Sequence, residues 1–375
     1  MIKIAITGAS GLIGKNLSNN LKYIQKSFDV VEISKSDFDD DNILDKKISN
    51  ANFVIHLAAV CRDTNQENLY NQNIFLTKKI ISSLSRINRT AHIIFASSTH
   101  EKDGSSYGKS KFDSRNLFIE WSNENNTNFH GLIIPNTFGP FGKPFHNSVV
   151  STFCHQLINE QECKINNNAI LNLLYVDDLV YHIIQIIKDE ELIKKEEYYI
   201  IKNVNQIELT DLYNLLKKFK DLYYDQGIIP YFENKFQLSL FNTFRSYIPI
   251  EKYFPRIYTK HNDERGNFIE LLKLKSGGQV SFSTTRPNIT RGNHFHTRKI
   301  ERFMILKGEA IVELRKVDST QKFTFKLSGE NPSYIDMPIW YTHNLKNIGK
   351  DELITVFWIN EFFDINDPDT FSNLV

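Results

Sequence analysis

The chain of 375 residues is 41% hydrophobic and 24% charged, an ordinary globular composition with apolar material for more than one core. Lys and Arg number 45 against 44 Asp and Glu, a net charge of +1, so no single-signed field points to nucleic acid or an anionic membrane. Apolar runs such as "FVIHLAAV" fall short of the roughly 18 residues a membrane span needs. Cys61, Cys154 and Cys163 are odd in number and lack CxxC spacing, so a reduced cytoplasmic protein without membrane insertion is expected.

The first residues, "IKIAIT", read as a strand rather than as a basic leader with an apolar h-region. "DVVEI", "FVIHLAA" and "HIIFASS" follow as further strands, and amphipathic stretches such as "NIFLTKKIISSLSRI" separate them. This alternation predicts an α/β fold, a Rossmann-type doubly wound parallel sheet. From about 135 to 245 the pattern loosens into helices such as "VDDLVYHIIQIIK" and "LTDLYNLLKKF", expected to form a ligand-binding subdomain at the carboxyl edge of the sheet. "RSYIPIEKYFPR" marks a linker over 246–256, so the nucleotide-binding domain is set at 1–245. Over 257–375, period-2 runs such as "FMILKGEAIVELRK", "KFTFKL" and "ELITVFWI" predict an all-β barrel or sandwich.

"TGASGLIG" sets Gly8, Gly11 and Gly14 between a strand and a helix, where small residues permit a tight turn and let a pyrophosphate approach the helix N-terminus. Ser10, Leu12 and Ile13 share that turn, and "HLAA" adds Leu57 and Ala58 as further candidate cofactor contacts. At the end of the second strand stand Ser34 and Lys35 rather than the carboxylate that usually bonds an NAD ribose, although Glu32 is close; a hydroxyl and a cation favour the 2′-phosphate of NADPH. "SSYGKSK" puts Tyr107 and Lys111 one helical turn apart, where an ammonium is expected to lower the phenol's pKa for proton exchange with a carbonyl. Ser98, with Thr99 as the alternative, ends the preceding strand and is placed to hydrogen-bond the same oxygen.

Together these residues resemble the extended short-chain dehydrogenase/reductase family over about residues 1–245. The resemblance implies hydride transfer at a nicotinamide, with Tyr107 as acid/base, Lys111 on the cofactor ribose, Ser98 polarising the substrate, and Asn136 of "PNTFGPFGKP" contacting a nucleotide sugar. "SSTHEK" carries His100 where dehydratases of that family have an acid, so redox chemistry is expected rather than loss of water.

In the β half, His294 and His296 of "RGNHFHTRKIERF" project from one face of an extended strand. Glu301 returns across a turn and His343 of "MPIWYTHN" joins from a later strand. Three imidazoles and a carboxylate suit zinc, with iron, manganese or nickel as alternatives. These stretches resemble the cupin (jelly-roll) barrel, with Trp340 standing where the second cupin motif usually has glycine.

"DERGNF" and "TRG" resemble epimerases of deoxythymidine-diphospho-4-keto sugars, which implies that Arg265 and Arg291 contact the diphosphate or sugar. In those epimerases the histidine after "RG" is the base. Here that position is His294, claimed as a metal ligand, which leaves Tyr341 and Lys299 as acid/base candidates.

A 4-keto sugar would use both halves. The ketone acidifies the C3 hydrogen, so a base and an enolate-stabilising group can invert C3, and hydride at C4 then locks the centre. End to end, the chain resembles the bifunctional capsular-polysaccharide reductase–epimerases, with "HNSVVSTFC" (Asn147 and Ser148 at the substrate) and "DPDTF" among the matching stretches. That resemblance implies a zinc cupin, a homodimer, and conversion of a UDP-2-acetamido-4-keto-2,6-dideoxyhexose to UDP-2-acetamido-2,6-dideoxy-L-talose, on the route to UDP-N-acetyl-L-fucosamine. The rival readings are a reductase whose cupin only binds carbohydrate or dimerises the protein, and a non-enzymatic NADPH sensor.

Overall fold

The computed structural model of the chain describes residues 1–165, 167–188, 198–201, 204–264 and 266–375. Two compact units divide it, one of residues 1–153 and 164–212 and one of 154–163 and 213–375.

The first unit begins β1 (Ile2–Thr7), α1 (Leu12–Asn19), β2 (Phe28–Ile33), α2 (Asp41–Ile48), β3 (Phe53–His56), α3 (Gln66–Arg86), β4 (His92–Ser98), α4 (Ser106–Glu124), β5 (Phe129–Ile134). It continues through β6 (Asn136–Phe138), the start of α5 (Val149–Ile158), β7 (Ile170–Tyr175), α6 (Val176–Lys188), β8 (Tyr198–Ile200), β9 (Asn205–Glu208) and the start of α7 (Leu209–Phe219). Six parallel strands in the order β2-β1-β3-β4-β5-β8 form the sheet the alternating sequence predicts, and β6-β7-β9 form a small second sheet. The four residues of β3 are all buried, as a strand covered on both faces requires. Ala5, Ile33, Val54, Ile93 and Phe95 pack against Leu44, Ile80, Leu84, Phe118 and Trp121 of the covering helices. The order reverses between β1 and β3, which opens a crevice at their carboxyl ends, the usual ligand position in such sheets.

The second unit takes in the end of α7, α8 (Lys235–Arg245), α9 (Ile250–Tyr253), and the strands β10 (Arg256–Ile257), β11 (His261–Asp263), β12 (Gly266–Phe268), β13 (Gln279–Thr285), β14 (Thr290–Phe295) and β15 (Glu301–Lys307). After them come β16 (Glu309–Lys316), β17 (Lys322–Ser328), β18 (Ser333–Met337), β19 (Tyr341–Asn347), β20 (Leu353–Ile359) and β21 (Phe371–Ser372). Two five-stranded antiparallel sheets, β10-β18-β15-β20-β13 and β17-β16-β19-β14-β21, carry the period-2 texture of the sequence. No strand pairing joins the two sheets among the described residues. They meet where Phe303 of β15 packs edge-on against His343 of β19, with 5.6 Å between ring centroids.

The helical segment is fastened to the first of these sheets by a buried ion pair. Arg302 and Asp336, each 1% exposed, bond through the guanidinium Nε and Nη2 at 2.6 and 2.9 Å, and Tyr223 donates to the same carboxylate at 2.8 Å. The guanidinium lies 3.7 Å over the Tyr334 ring, and an arm donates to the Gly227 carbonyl. No helix among the described residues is long and apolar enough to cross a membrane.

Candidate functional site

In the first unit the glycine turn is built by contact. Gly8 has φ +67°, and a Cβ there would lie 2.7 Å from the Ala58 nitrogen. At Gly14 a Cβ would fall 2.2 Å from the Gly8 carbonyl oxygen, so helix and turn sit together only without a side chain. Thr7 ties this turn to the one after β3: its hydroxyl accepts from the Leu57 and Ala58 N–H groups at 3.1 Å and pairs with His56 Nδ1 at 2.8 Å. No side chain caps the N-terminus of α1, so its first N–H groups are available to a phosphate.

A cavity of about 530 Å³ opens on this turn. Gly8, Gly11, Leu12, Ile13, Gly14, Leu57, Ser98, Tyr107, Lys111, Asn136, Asn147 and Ser148, all sequence candidates, line it. Ser10, Ser34, Lys35 and Ala58 do not line this cavity; Ala59 does, one residue beyond the last of them. Ser34 and Lys35 are exposed past the end of β2, and the Ser34 hydroxyl donates to Asp37 at 2.7 Å. Both carboxylates nearby are engaged by the protein: Glu32 by Lys22 and Ser18, and Asp37 by Lys47 and Ser34.

Tyr107 and Lys111 are set by the start of α4. The Ser105 hydroxyl accepts from the Gly108 N–H at 3.0 Å, and a Cβ on Gly108 would strike the His100 carbonyl, so the first turn lies tight against the end of β4. The Tyr107 hydroxyl neighbours Ser98 and Cys61, and burial, with Cys61 beside it, raises the phenol's pKa. The direction is opposite to the one expected from Lys111, and burial is its leading cause. Burial likewise lowers Lys111 to about 8; its ammonium donates to the Ala96 carbonyl at 2.8 Å and lies 5.8 Å from the Tyr107 ring centroid.

Glu101, the carboxylate next to His100, is held by Arg115 Nε and Nη2 at 2.9 Å each and by Ser97, while His100 lines the cavity. Sequence reasoning missed Cys61, Arg62, Lys143 and His146, which also line it. The polar run "GKPFHNS" signals the latter two; nothing local signals the first two. It also missed Asn73, whose amide bonds both polar groups of the Val60 backbone at 2.7 and 3.0 Å and so fixes the loop after β3.

In the second unit, ligand atoms of His294, His296, Glu301 and His343 lie within 4.8 Å of one another, near the span expected for donors ~2.1 Å from a single ion. Glu301 approaches His296 Nε2 at 3.0 Å and His343 Nε2 at 3.2 Å. A bulge aims His294: the register slips between Gly292 and His294, Gly292 has φ +100°, and a Cβ on it would meet the His343 carbonyl at 2.8 Å. The Nδ1 groups of His296 and His343 turn to the carbonyls of Asp369 and Tyr341, which directs Nε2 inward.

Burial, with His343 and His296 beside it, lowers His294 to about 3, the neutral state a metal requires. Burial opposes charge on Glu301, yet the two imidazoles hold its pKa well below the usual carboxylate range. Buried His343 Nε2 has no hydrogen bond of regular geometry among the described residues, only its 3.2 Å approach to Glu301, a shared position that a metal would satisfy. The cluster fits a divalent transition metal.

Trp340 stands where the sequence resemblance to the cupin motif expects glycine. It adopts φ +63°, the conformation glycine favours, while its buried indole stacks on Phe295 at 5.5 Å. Of the acid/base candidates, Lys299 is buried with its ammonium 2.6 Å from the Pro368 carbonyl, and burial together with Asp318 raises Tyr341 to about 12. Arg291 is exposed and donates to the Thr284 carbonyl at 3.3 Å; Arg265 lies outside the described residues.

Residues 4–201 match the NAD dependent epimerase/dehydratase family, and residues 261–371 match the polysaccharide biosynthesis C-terminal domain. Over 99% of its length the chain is 28% identical to the UDP-2-acetamido-2,6-beta-L-arabino-hexul-4-ose reductase of Pseudomonas aeruginosa, covering 98% of that protein. It is 26% identical over 120 residues, 29% of its length, to the spore coat polysaccharide biosynthesis protein SpsL of Bacillus subtilis, covering 80% of that protein. The crystal structure of the capsular polysaccharide assembling protein CapF of Staphylococcus aureus aligns over 100% of both chains at 31% identity, with a TM-score of 0.64.

Proposed function

We propose, from the premise that the chain belongs to the NAD dependent epimerase/dehydratase family, that it is a bifunctional nucleotide-sugar enzyme of surface-polysaccharide biosynthesis. In this reading a cupin domain of residues 257–375, within the second unit, inverts C3 of a UDP-2-acetamido-2,6-dideoxy-4-ketohexose. Its first unit then reduces C4 with NADPH, giving UDP-2-acetamido-2,6-dideoxy-L-talose on the route to UDP-N-acetyl-L-fucosamine. A cytoplasmic homodimer carrying zinc belongs to the same proposal. The observation that carries the reading is the cavity in which the glycine turn, Ser98, Tyr107 and Lys111 share one wall system with Asn136, Asn147 and Ser148.

Bound NADPH supplies the hydride, and a divalent metal held by His294, His296, Glu301 and His343 supplies Lewis acidity toward the ketone oxygen. Tyr107 is a protonated phenol at neutral pH, so it can donate to the C4 oxygen as charge develops there, the role reduction requires. Ser98 donates a hydrogen bond to the same oxygen, and Lys111 holds the ribose and stabilises the phenolate left behind. Arg62 and Lys143 give the cavity a cationic lining suited to a diphosphate, and the His146 imidazole adds a hydrogen-bonding group. With Glu101 locked by Arg115 and His100 in the dehydratase position, loss of water lacks its acid. The engaged carboxylates near β2, with Ser34 and Lys35 beside them, favour NADPH over NADH. Proton removal at C3 is assigned to Lys299 or Tyr341, and single substitutions separate the two.

The test is purified protein with NADPH and a panel of UDP-4-keto-6-deoxy sugars, with product stereochemistry read by NMR. Oxidation of NADPH with inversion at C3 supports the proposal. Reduction without inversion leaves the rival in which the second unit only binds carbohydrate or dimerises the protein.

A further inference from the structure

We infer that residues 368–375 form a strap that sets the metal affinity of the four-residue cluster, with Asp369 as its positioning residue. This rests on the reading of His294, His296, Glu301 and His343 as metal ligands, none of which lies in the strap.

Asp369 is 2% exposed, and its carboxylate is fully used. One oxygen accepts from the Thr297 N–H at 3.0 Å and the Thr297 hydroxyl at 2.7 Å; the other accepts from the Arg298 and Lys299 N–H groups at 2.9 and 2.8 Å. The whole turn between the ligand His296 and β15, which carries the ligand Glu301, is therefore folded around one buried anion. Hydrogen bonds to a charged acceptor are the strong kind. The same residue's carbonyl lies 2.5 Å from His296 Nδ1. A carbonyl can only accept, so Nδ1 carries the proton and the Nε2 lone pair faces the cluster.

The rest of the strap reaches the other ligand strands. Phe371 and Ser372 pair with Phe295 and His294 as β21. The Asn373 N–H donates to the Asn293 carbonyl at 3.0 Å, inside the bulge that aims His294, and its own carbonyl accepts from Thr342, next to His343, at 2.6 Å. Arg315 secures the far end by donating to the Asn373 side chain at 2.8 Å and to the Leu374 carbonyl. One short segment thus reaches the chain on both sides of His294 and His296, and the Thr342 side chain next to His343.

Asp369→Asn keeps the shape but turns an amide N–H₂ toward one of the two donor pairs, so the turn is expected to open and to shift the Asp369 carbonyl that fixes the His296 tautomer. Metal-stripped full-length protein is titrated with zinc against a chelating indicator, and with cobalt(II) followed by visible absorption. The expected result for D369N is zinc affinity lower by about 10–100-fold, the usual effect of removing an outer-shell partner, with an altered cobalt spectrum and unchanged NADPH binding. Arg315→Ala, which frees the far end without touching the 297–299 turn, is expected to weaken zinc in the same direction by less. It carries the test should D369N fail to fold. A strap that merely stabilised the fold would lower the denaturation midpoint of both variants and leave the zinc affinity of the folded protein unchanged; that result overturns the inference. If wild type holds zinc, His343→Ala releases it and D369N does not, the strap alone falls. If wild type and H343A alike bind none, the ligand reading falls and takes the strap with it.

Discussion

Replacing Lys111 by methionine is expected to abolish reduction yet make the ligand-free protein more stable. The ammonium is buried and held at about 8 against an ordinary 10.5. At about 1.4 kcal/mol per pKa unit, keeping it charged at neutral pH costs the folded state about 3 kcal/mol. Methionine keeps an apolar stem over the Phe95 ring, which now lies 4.8 Å from the ammonium. It also strips the Ala96 carbonyl of its donor, a loss of about 1–2 kcal/mol. The balance is a gain of about 1–2 kcal/mol for K111M at neutral pH.

The pH dependence carries the sign. For a base whose folded pKa is lowered, the unfolded chain binds more protons between the two values, so wild-type stability rises with pH from about 8 toward 10.5. K111M lacks that rise, so its advantage is full below pH about 8 and shrinks above it. Urea denaturation of both proteins across this range measures the gap. A variant less stable than wild type at neutral pH, or a gap that does not narrow as pH rises, would refute the reasoning.

Tyr107→Phe removes the proton donor and is expected to lower keto-sugar reduction by about 10²–10⁴-fold while leaving NADPH binding by fluorescence intact; unchanged turnover would favour the sensor reading. His343→Ala is expected to lose its metal by mass spectrometry while still reducing a substrate already inverted at C3. Lys35→Glu should shift the kcat/KM ratio from NADPH toward NADH by about tenfold, the worth of one charge contact with a phosphate. Trp340→Gly relieves a left-handed backbone worth about 1–2 kcal/mol but empties a buried indole worth about 3–5, so urea midpoints should report a net loss of about 2–3 kcal/mol.

What the sequence made legible was set by short-range rules. The order of strands and helices in the first unit follows from hydrophobic period. The glycine turn is readable because Gly8 and Gly14 are excluded from carrying side chains by atoms only a few residues away or in the turn just past the neighbouring strand. The Tyr107–Lys111 pair shares a helix face, and the four residues of the His/Glu cluster announce themselves by chemistry and spacing. Trp340 shows the limit of such motifs: its backbone keeps the left-handed turn that glycine usually supplies, and the indole that replaced it found a stacking partner in Phe295.

Long-range packing was not legible. The aromatic faces of 213–253 announce that those helices are buried, but not that Tyr223 closes on Asp336 beside Arg302. The raised pKa of Tyr107 depends on how deeply α4 sits, which no spacing encodes. Asn73 holding Val60, and Asp369 gathering three successive N–H groups far earlier in the chain, are equally invisible before the fold brings them together.

The most direct measurement incubates the full-length protein with the UDP-4-keto sugar and NADPH in D₂O and reads the product by NMR. One deuterium at C3, in the inverted configuration, together with a protium delivered to C4 is expected, because a single ketone must first loosen its neighbour and then accept hydride. Stoichiometric NADPH oxidation with protium retained at C3 would contradict that sequence of events.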